Sequence, residues 1–174
     1  ANQTAALSAA GLQNRDVGPY NLILATNDVN TLAVNTTAAV SFRDANNLIV
    51  ETVLAINGIT TTGNNVTLRT GKTLDINQAV ALAAGNLTLN AGGAVNQTAA
   101  ISGAGLELLG TGPYNLAGVV TNNFTTLAAN TTGNITYRDS AALALGTVNT
   151  NGLSTTGDVL ITTGGNLTDD NGTT

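Results

Sequence analysis

Asn2-Gln3-Thr4-Ala5-Ala6 returns as Asn96-Gln97-Thr98-Ala99-Ala100, 94 positions later. At the same offset, Gly18-Pro19-Tyr20-Asn21-Leu22 returns as Gly112-Pro113-Tyr114-Asn115-Leu116. From residue 2 to 22, 14 of 21 aligned positions are identical, so the chain contains a long internal repeat. The offset then becomes 95: Thr31-Leu32-Ala33 matches Thr126-Leu127-Ala128, and Arg43-Asp44 matches Arg138-Asp139 with Phe42 over Tyr137. It falls to 94 at Gly58 and Gly152, and to 93 at Val66 and Val159. The slips fall in 25–28, 54–56 and 64–65. A one-residue slip inside a strand turns every side chain to the other face, so these segments are expected to be corners.

A shorter period runs inside the long one. Val66-Thr67-Leu68, Leu87-Thr88-Leu89 and Leu106-Glu107-Leu108 follow at 21 and then 19 residues. Each triplet is apolar, polar, apolar, the pattern of a strand with one buried face. Gly, Asn, Asp and Thr between them are turn formers. The best helical candidate, Ala79 to Ala84, ends at Gly85 after six residues and reads as strand and corner. Two or three short strands per 19–21 residues describe one coil of a parallel β-helix. The expected fold is all-β, a single β-solenoid segment over 1–174. It has about nine coils, five to each long unit, with unit one at about 1–93 and an incomplete unit two at about 94–174. At about 4.8 Å per coil the rod measures roughly 43 Å.

Composition narrows the function. Thr, Ala, Asn and Gly fill 100 of 174 positions; there is no His, Cys or Met, and charged residues make up 9%. Without imidazole or thiol, zinc-type sites, thiolate nucleophiles and histidine bases are excluded. Five Lys plus Arg against ten Asp plus Glu argues against a nucleic-acid partner. No apolar run approaches the roughly 18 residues of a spanning helix, so no membrane insertion is expected. A narrow interior suits Ala, Val, Leu and Ile; aromatics are expected to fit there rarely, and Thr with Asn to take outward and corner positions.

The segments Gly112-Pro113-Tyr114-Asn115-Leu116, Ala128-Ala129-Asn130-Thr131-Thr132-Gly133-Asn134-Ile135-Thr136-Tyr137-Arg138-Asp139 and Leu87-Thr88-Leu89-Asn90-Ala91-Gly92-Gly93 resemble repeats of the filamentous haemagglutinin-like family. Its members are large secreted bacterial exoproteins and autotransporter adhesins. The resemblance covers essentially the whole chain. It implies a right-handed parallel β-helix forming an extended stalk outside a Gram-negative cell, secreted or at the outer surface. The family's Asn-Pro-Asn motifs are missing from this sequence. The chain begins and stops inside the repeat, which reads as a segment of a longer parent or a copy that stacks end to end.

Candidate surface contacts are Tyr20, Arg43, Asp44, Tyr114, Arg138 and Asp139. The Arg-Asp pairs suit a carboxylate or carbohydrate, and the two Tyr a sugar ring. The plainer reading is a surface corner with Arg and Asp splayed to opposite sides, and a Pro-set turn with Tyr packed over a coil edge. The carboxylates Asp28, Asp169 and Asp170 are scattered and lack a repeating calcium pattern, so no metal or cofactor is expected. Three functions compete. A structural stalk or adhesin segment, or a self-assembling fibre subunit, needs only the repeat. A carbohydrate-active β-helix enzyme needs clustered carboxylates. An ice-binding solenoid needs a threonine ladder at every coil, whereas Thr60-Thr61-Thr62 and Thr155-Thr156 occur once per long unit. The first is expected, with no enzymatic activity. Its partners are the parent chain, another copy, or a glycan or protein on a host or neighbouring cell.

Overall fold

The computed structural model describes residues 2–171; Ala1 and 172–174, which the expected segment includes, lie outside the described residues. Among the described residues there are 22 strands and no helix. The strands stack in parallel into about eight turns of a β-solenoid, close to the nine expected.

The alternation seen in sequence produces this stack. Val66–Thr70 buries Val66, Leu68 and Thr70 and turns Arg69 outward. In one sheet Val40, Val66, Leu87, Leu106 and Leu127 lie in register on successive coils. Across the rod Leu48, Leu74, Val95, Tyr114 and Ile135 form the facing column. All ten are at most 1% exposed, so one core runs along the axis. Each such side chain contributes about 1.5–3 kcal/mol by leaving water. Coils also meet through backbone: a Cβ on Gly71 would stand 2.1 Å from the Ala45 carbonyl oxygen, and one on its counterpart Gly164 2.1 Å from that of Ser140.

The two long units do not lie above one another. Tyr20–Leu22, Val40–Asp44 and Val66–Thr70 belong to the nine-stranded sheet. Their counterparts Tyr114–Leu116, Ile135–Asp139 and Val159–Thr163 belong to the eleven-stranded sheet. Leu48–Val50 and Leu74–Ile76 make the opposite exchange with Leu143–Leu145 and Leu167–Asp169. Starting from Tyr20–Leu22, four steps along the nine-stranded sheet reach Gly105–Gly110, and the chain then crosses the rod to Tyr114. A long unit is therefore about four and a half turns, not five, and its copy faces the other way.

The offset slips do fall at corners. Ala25-Thr26 is a turn, Leu54-Ala55 is the tip of a hairpin, and Asn64-Asn65 lies between Ile59–Thr61 and Val66–Thr70. The hairpin departs from the expected all-parallel pattern: Thr52–Val53 pairs antiparallel with Ile56–Asn57. It lengthens that coil beyond the usual period, so Val40 and its register partner Val66 are further apart in sequence than Leu87 and Leu106. In the second unit it shrinks to an antiparallel bridge between Thr147 and Asn151. Thr52 Oγ1 donates to Asn57 Oδ1, and Thr147 Oγ1 to Asn151 Oδ1, both at 2.8 Å. Gly58 and Gly152, which follow, have φ of +62° and +69°, a conformation glycine adopts freely.

Two compositional expectations are corrected. Phe42, Tyr114, Phe124 and Tyr137 are fully buried, so four of the five aromatics are inside the rod. Small residues make the room: a Cβ on Gly103 would meet Phe124 Cε1 at 3.0 Å, whereas the equivalent pair in unit one is Ala9 beside Val29. The threonines expected at corners also turn inward rather than outward. Thr36, Thr61, Thr70 and Thr131 end strands with their side chains buried, and their hydroxyls satisfy corner backbone, as in Thr70 Oγ1 to Lys72 O at 2.9 Å.

Candidate functional site

One polar construction in the rod is buried and occurs twice. Asn27, in the corner after Tyr20–Leu22, is fully buried. Its Nδ2 donates to Gln3 Oε1 at 3.1 Å, Leu22 O at 3.2 Å and Arg43 O at 3.0 Å. Its Oδ1 accepts from the Leu7 amide at 2.9 Å and from Gln3 Nε2. One amide thus ties three successive coils. Asn122 repeats the set with Gln97 Oε1 at 3.1 Å, Leu116 O at 3.0 Å, Arg138 O at 3.1 Å, the Ile101 amide at 3.1 Å and Gln97 Nε2.

The next strand supplies a carboxylate to the same corner. Asp44 Oδ2 accepts from the Val29 amide at 2.7 Å, and Oδ1 from the Asn46 amide at 2.8 Å. Asp139 accepts from the Phe124 amide at 2.9 Å and the Ala141 amide at 2.9 Å. Tyr137 adds a hydroxyl to Asp139 Oδ2 at 2.6 Å. Burial and the neighbouring carboxylate raise the Tyr137 pKa well above the usual phenol range.

This settles where the candidate residues stand. Arg43 and Arg138 are exposed. Asp44 and Asp139 are 1% exposed and are corner-fixing acceptors, which corrects their reading as surface contacts. Arg and Asp are splayed to opposite sides, Arg to water and Asp to the interior. Tyr20 is half-buried and donates to Arg15 O. Tyr114 is also withdrawn from the surface: its ring is fully buried, and its hydroxyl donates to Leu89 O at 3.0 Å and to Leu109 O. Burial pushes its pKa up to about 12.

Glu107 is the third buried carboxylate, and sequence reasoning passed over it. It sits on the outer side of its strand, yet is 2% exposed because the 147–151 segment folds over it. Asn149 Nδ2 donates at 2.9 Å, the Thr150 amide at 2.7 Å, Thr150 Oγ1 at 2.8 Å and Thr88 Oγ1 at 2.9 Å. Burial pushes its pKa up, but these hydrogen bonds outweigh burial and leave it lowered. The counterpart in unit one is Gln13, whose Oε1 is buried without a partner.

Gln3, Gln97, Asn27 and Asn122 were legible only as recurring letters. Their identity across the repeat was the signal that they hold something. Among the described residues no three of His, Cys, Asp and Glu come together as metal ligands. The open surface offers shallow polar grooves instead, one lined by Asn96, Asn115 and Thr136, another by Arg43, Arg69, Thr70, Gly71 and Asn90. No protein-family model, curated protein or solved structure matches the chain.

Proposed function

We propose that the chain is a stiff structural segment of a bacterial surface adhesin or exoprotein, held outside the cell. The observation that carries this reading is the unbroken ladder of parallel backbone pairs along one axial core through about eight turns. Such a ladder resists bending because each inner coil is bonded to the coils on both sides through strands of two sheets. The duplicated Asn clamps add cross-coil ties that do not depend on surface chemistry. The resemblance to filamentous haemagglutinin-like repeats supports the extracellular setting, and contact with glycans or proteins would run through the shallow polar faces.

Small-angle scattering and circular dichroism test the rod. We expect a β-rich spectrum and a particle whose long axis matches about eight coils at about 4.8 Å each; a helix-dominated spectrum or an expanded, unfolded chain overturns the proposal. Electron microscopy of surface material from the source cell tests the setting, where fibres are expected. Release of reducing ends from pectin-like polymers, abolished by Asp44→Asn or Asp139→Asn in protein that remains folded, would favour the enzymatic reading instead.

A further inference from the structure

Only five cationic side chains exist in a chain of net charge −5; two of them, Arg43 and Arg69, lie on adjacent strands of the nine-stranded sheet, and a third, Lys72, in the corner two residues after the second of these strands. Arg43 and Arg69 are register partners on adjacent coils, and both are exposed. Adjacent coils lie about 4.8 Å apart, so two like charges stand side by side, an arrangement that is unfavourable without a counter-charge. Among the described residues no carboxylate pairs with either guanidinium. Asp44, the adjacent residue, is turned inward and spends its oxygens on the Val29 and Asn46 amides. Asn90 stands next in the same outward column, and the groove between them is floored by Thr70 and Gly71. Lys72 follows at the corner and is exposed.

The Arg43 backbone is held from below, because its carbonyl accepts from Asn27 Nδ2 at 3.0 Å and the next residue is anchored inside. The opposite face provides a contrast. There the same clamp holds Arg138, but its register neighbour is Thr162, and the counterpart of Lys72 is Gly165. The fold therefore needs neither Arg69 nor Lys72 at these positions.

We infer that Arg43, Arg69 and Lys72 form a binding site for an acidic polysaccharide, with guanidinium forks on successive coils taking successive carboxylates. A guanidinium presents a planar pair of donors that fits a carboxylate in two hydrogen bonds. Charges repeated at coil spacing suit a chain with repeated charges better than one small anion. Distant acidic residues of the protein are screened beyond about 10 Å at 0.1 M salt. The inference deepens the reading of the rod's polar faces as contact surfaces, and rests on it only in placing the ligand outside the chain.

The test is titration calorimetry of the 174-residue chain with polygalacturonate at about 0.1 M salt, with dextran, dextran sulfate and duplex DNA as comparators. The Arg69→Thr/Lys72→Gly variant copies the sequence of the opposite face; Arg138→Thr is the control. We expect binding to polygalacturonate, weakened at least tenfold in the double variant and less than twofold in the control, and falling with added salt. Absence of binding, or equal binding by the double variant, overturns the site. Equal affinity for dextran sulfate or DNA overturns the assignment to a carboxylate polysaccharide. Circular dichroism and scattering on the same samples report the rod separately, so a failed site and a failed stalk are distinguishable.

Discussion

Tyr137 donates its hydroxyl to Asp139 Oδ2 at 2.6 Å inside the rod, and at the equivalent place in the first unit Phe42 leaves Asp44 to the backbone amides alone. The two units thus hold one corner with and without a phenol. Tyr137→Phe is expected to fold normally, because phenylalanine already stands at the equivalent site, and to lose about 1–2 kcal/mol, the worth of one buried hydrogen bond. Urea unfolding measures this. A loss above about 4 kcal/mol would mean that the phenol organises more than this corner.

The Asn clamps are expected to be the most sensitive polar positions. Asn122→Ala removes five hydrogen bonds and strands the carbonyls of Leu116 and Arg138 together with the Gln97 amide. Each buried group left unpaired costs about 1–3 kcal/mol, so a loss of 3 kcal/mol or more is expected. Asn27→Ala should behave alike. A change within about 0.5 kcal/mol, the range of an ordinary surface substitution, would show that the clamp does not bear on stability.

Glu107 makes the second unit acid-sensitive. Its folded pKa is lowered, so the stability it contributes is present above its unfolded pKa and is lost as pH falls through the folded one. As pH falls below the ordinary carboxylate value of 4.5 and on through the lowered folded one, the 147–151 segment should loosen first, read as faster amide exchange at Thr150, whose N–H bonds the carboxylate. Glu107→Gln copies Gln13 of the first unit; it should keep the fold and remove this acid step. Persistence of the step in that variant would assign it to another group.

Tyr114 and Tyr137 share the alkaline limb, and Tyr114 is the one whose shift is bounded. Its folded pKa of about 12 lies above the ordinary value of 10.0, so its contribution is complete below pH 10 and is lost as pH rises toward 12. A two-unit difference corresponds to on the order of 3 kcal/mol. Ultraviolet titration should show phenolate formation at Tyr114 only together with loss of the β signal. Tyr114→Phe should shift the alkaline midpoint upward if its lost hydrogen bonds are compensated by reference to neutral stability. Reversible ionisation of Tyr114 near pH 10 in folded protein would contradict its burial.

The stack, the core columns and the corners were readable because alternation and offset slips are one-dimensional signals. Val66-Thr67-Leu68 announces which side chains go inward, and a slip at Asn64-Asn65 announces where a strand cannot be. The angular position of a residue is a different quantity. An offset of 94 gives distance along the chain, and the hairpin at 52–57 lengthens one coil, so the number of turns per unit could not be obtained by dividing by a period. The inward carboxylates were missed for a related reason. Asp44 lies on the apolar phase of its strand, like Val40 and Phe42, but its charge suggested water; the donors that admit it, Val29 and Asn46, come from other segments. Phe124 lies inside, against the general expectation for aromatics, because its room comes from Gly103, a coil away.

The half-revolution between units has a consequence for how such a chain tolerates change in length. Removing or inserting one unit of about 94 residues preserves every strand pairing, yet spins all later coils to the far side of the rod. Removing or inserting two restores their bearing. A surface that reads one side of the rod meets alternate copies only, as an observer on one side of a stem meets alternate leaves. Unit number, counted as odd or even, therefore acts as a rotational setting as well as a length.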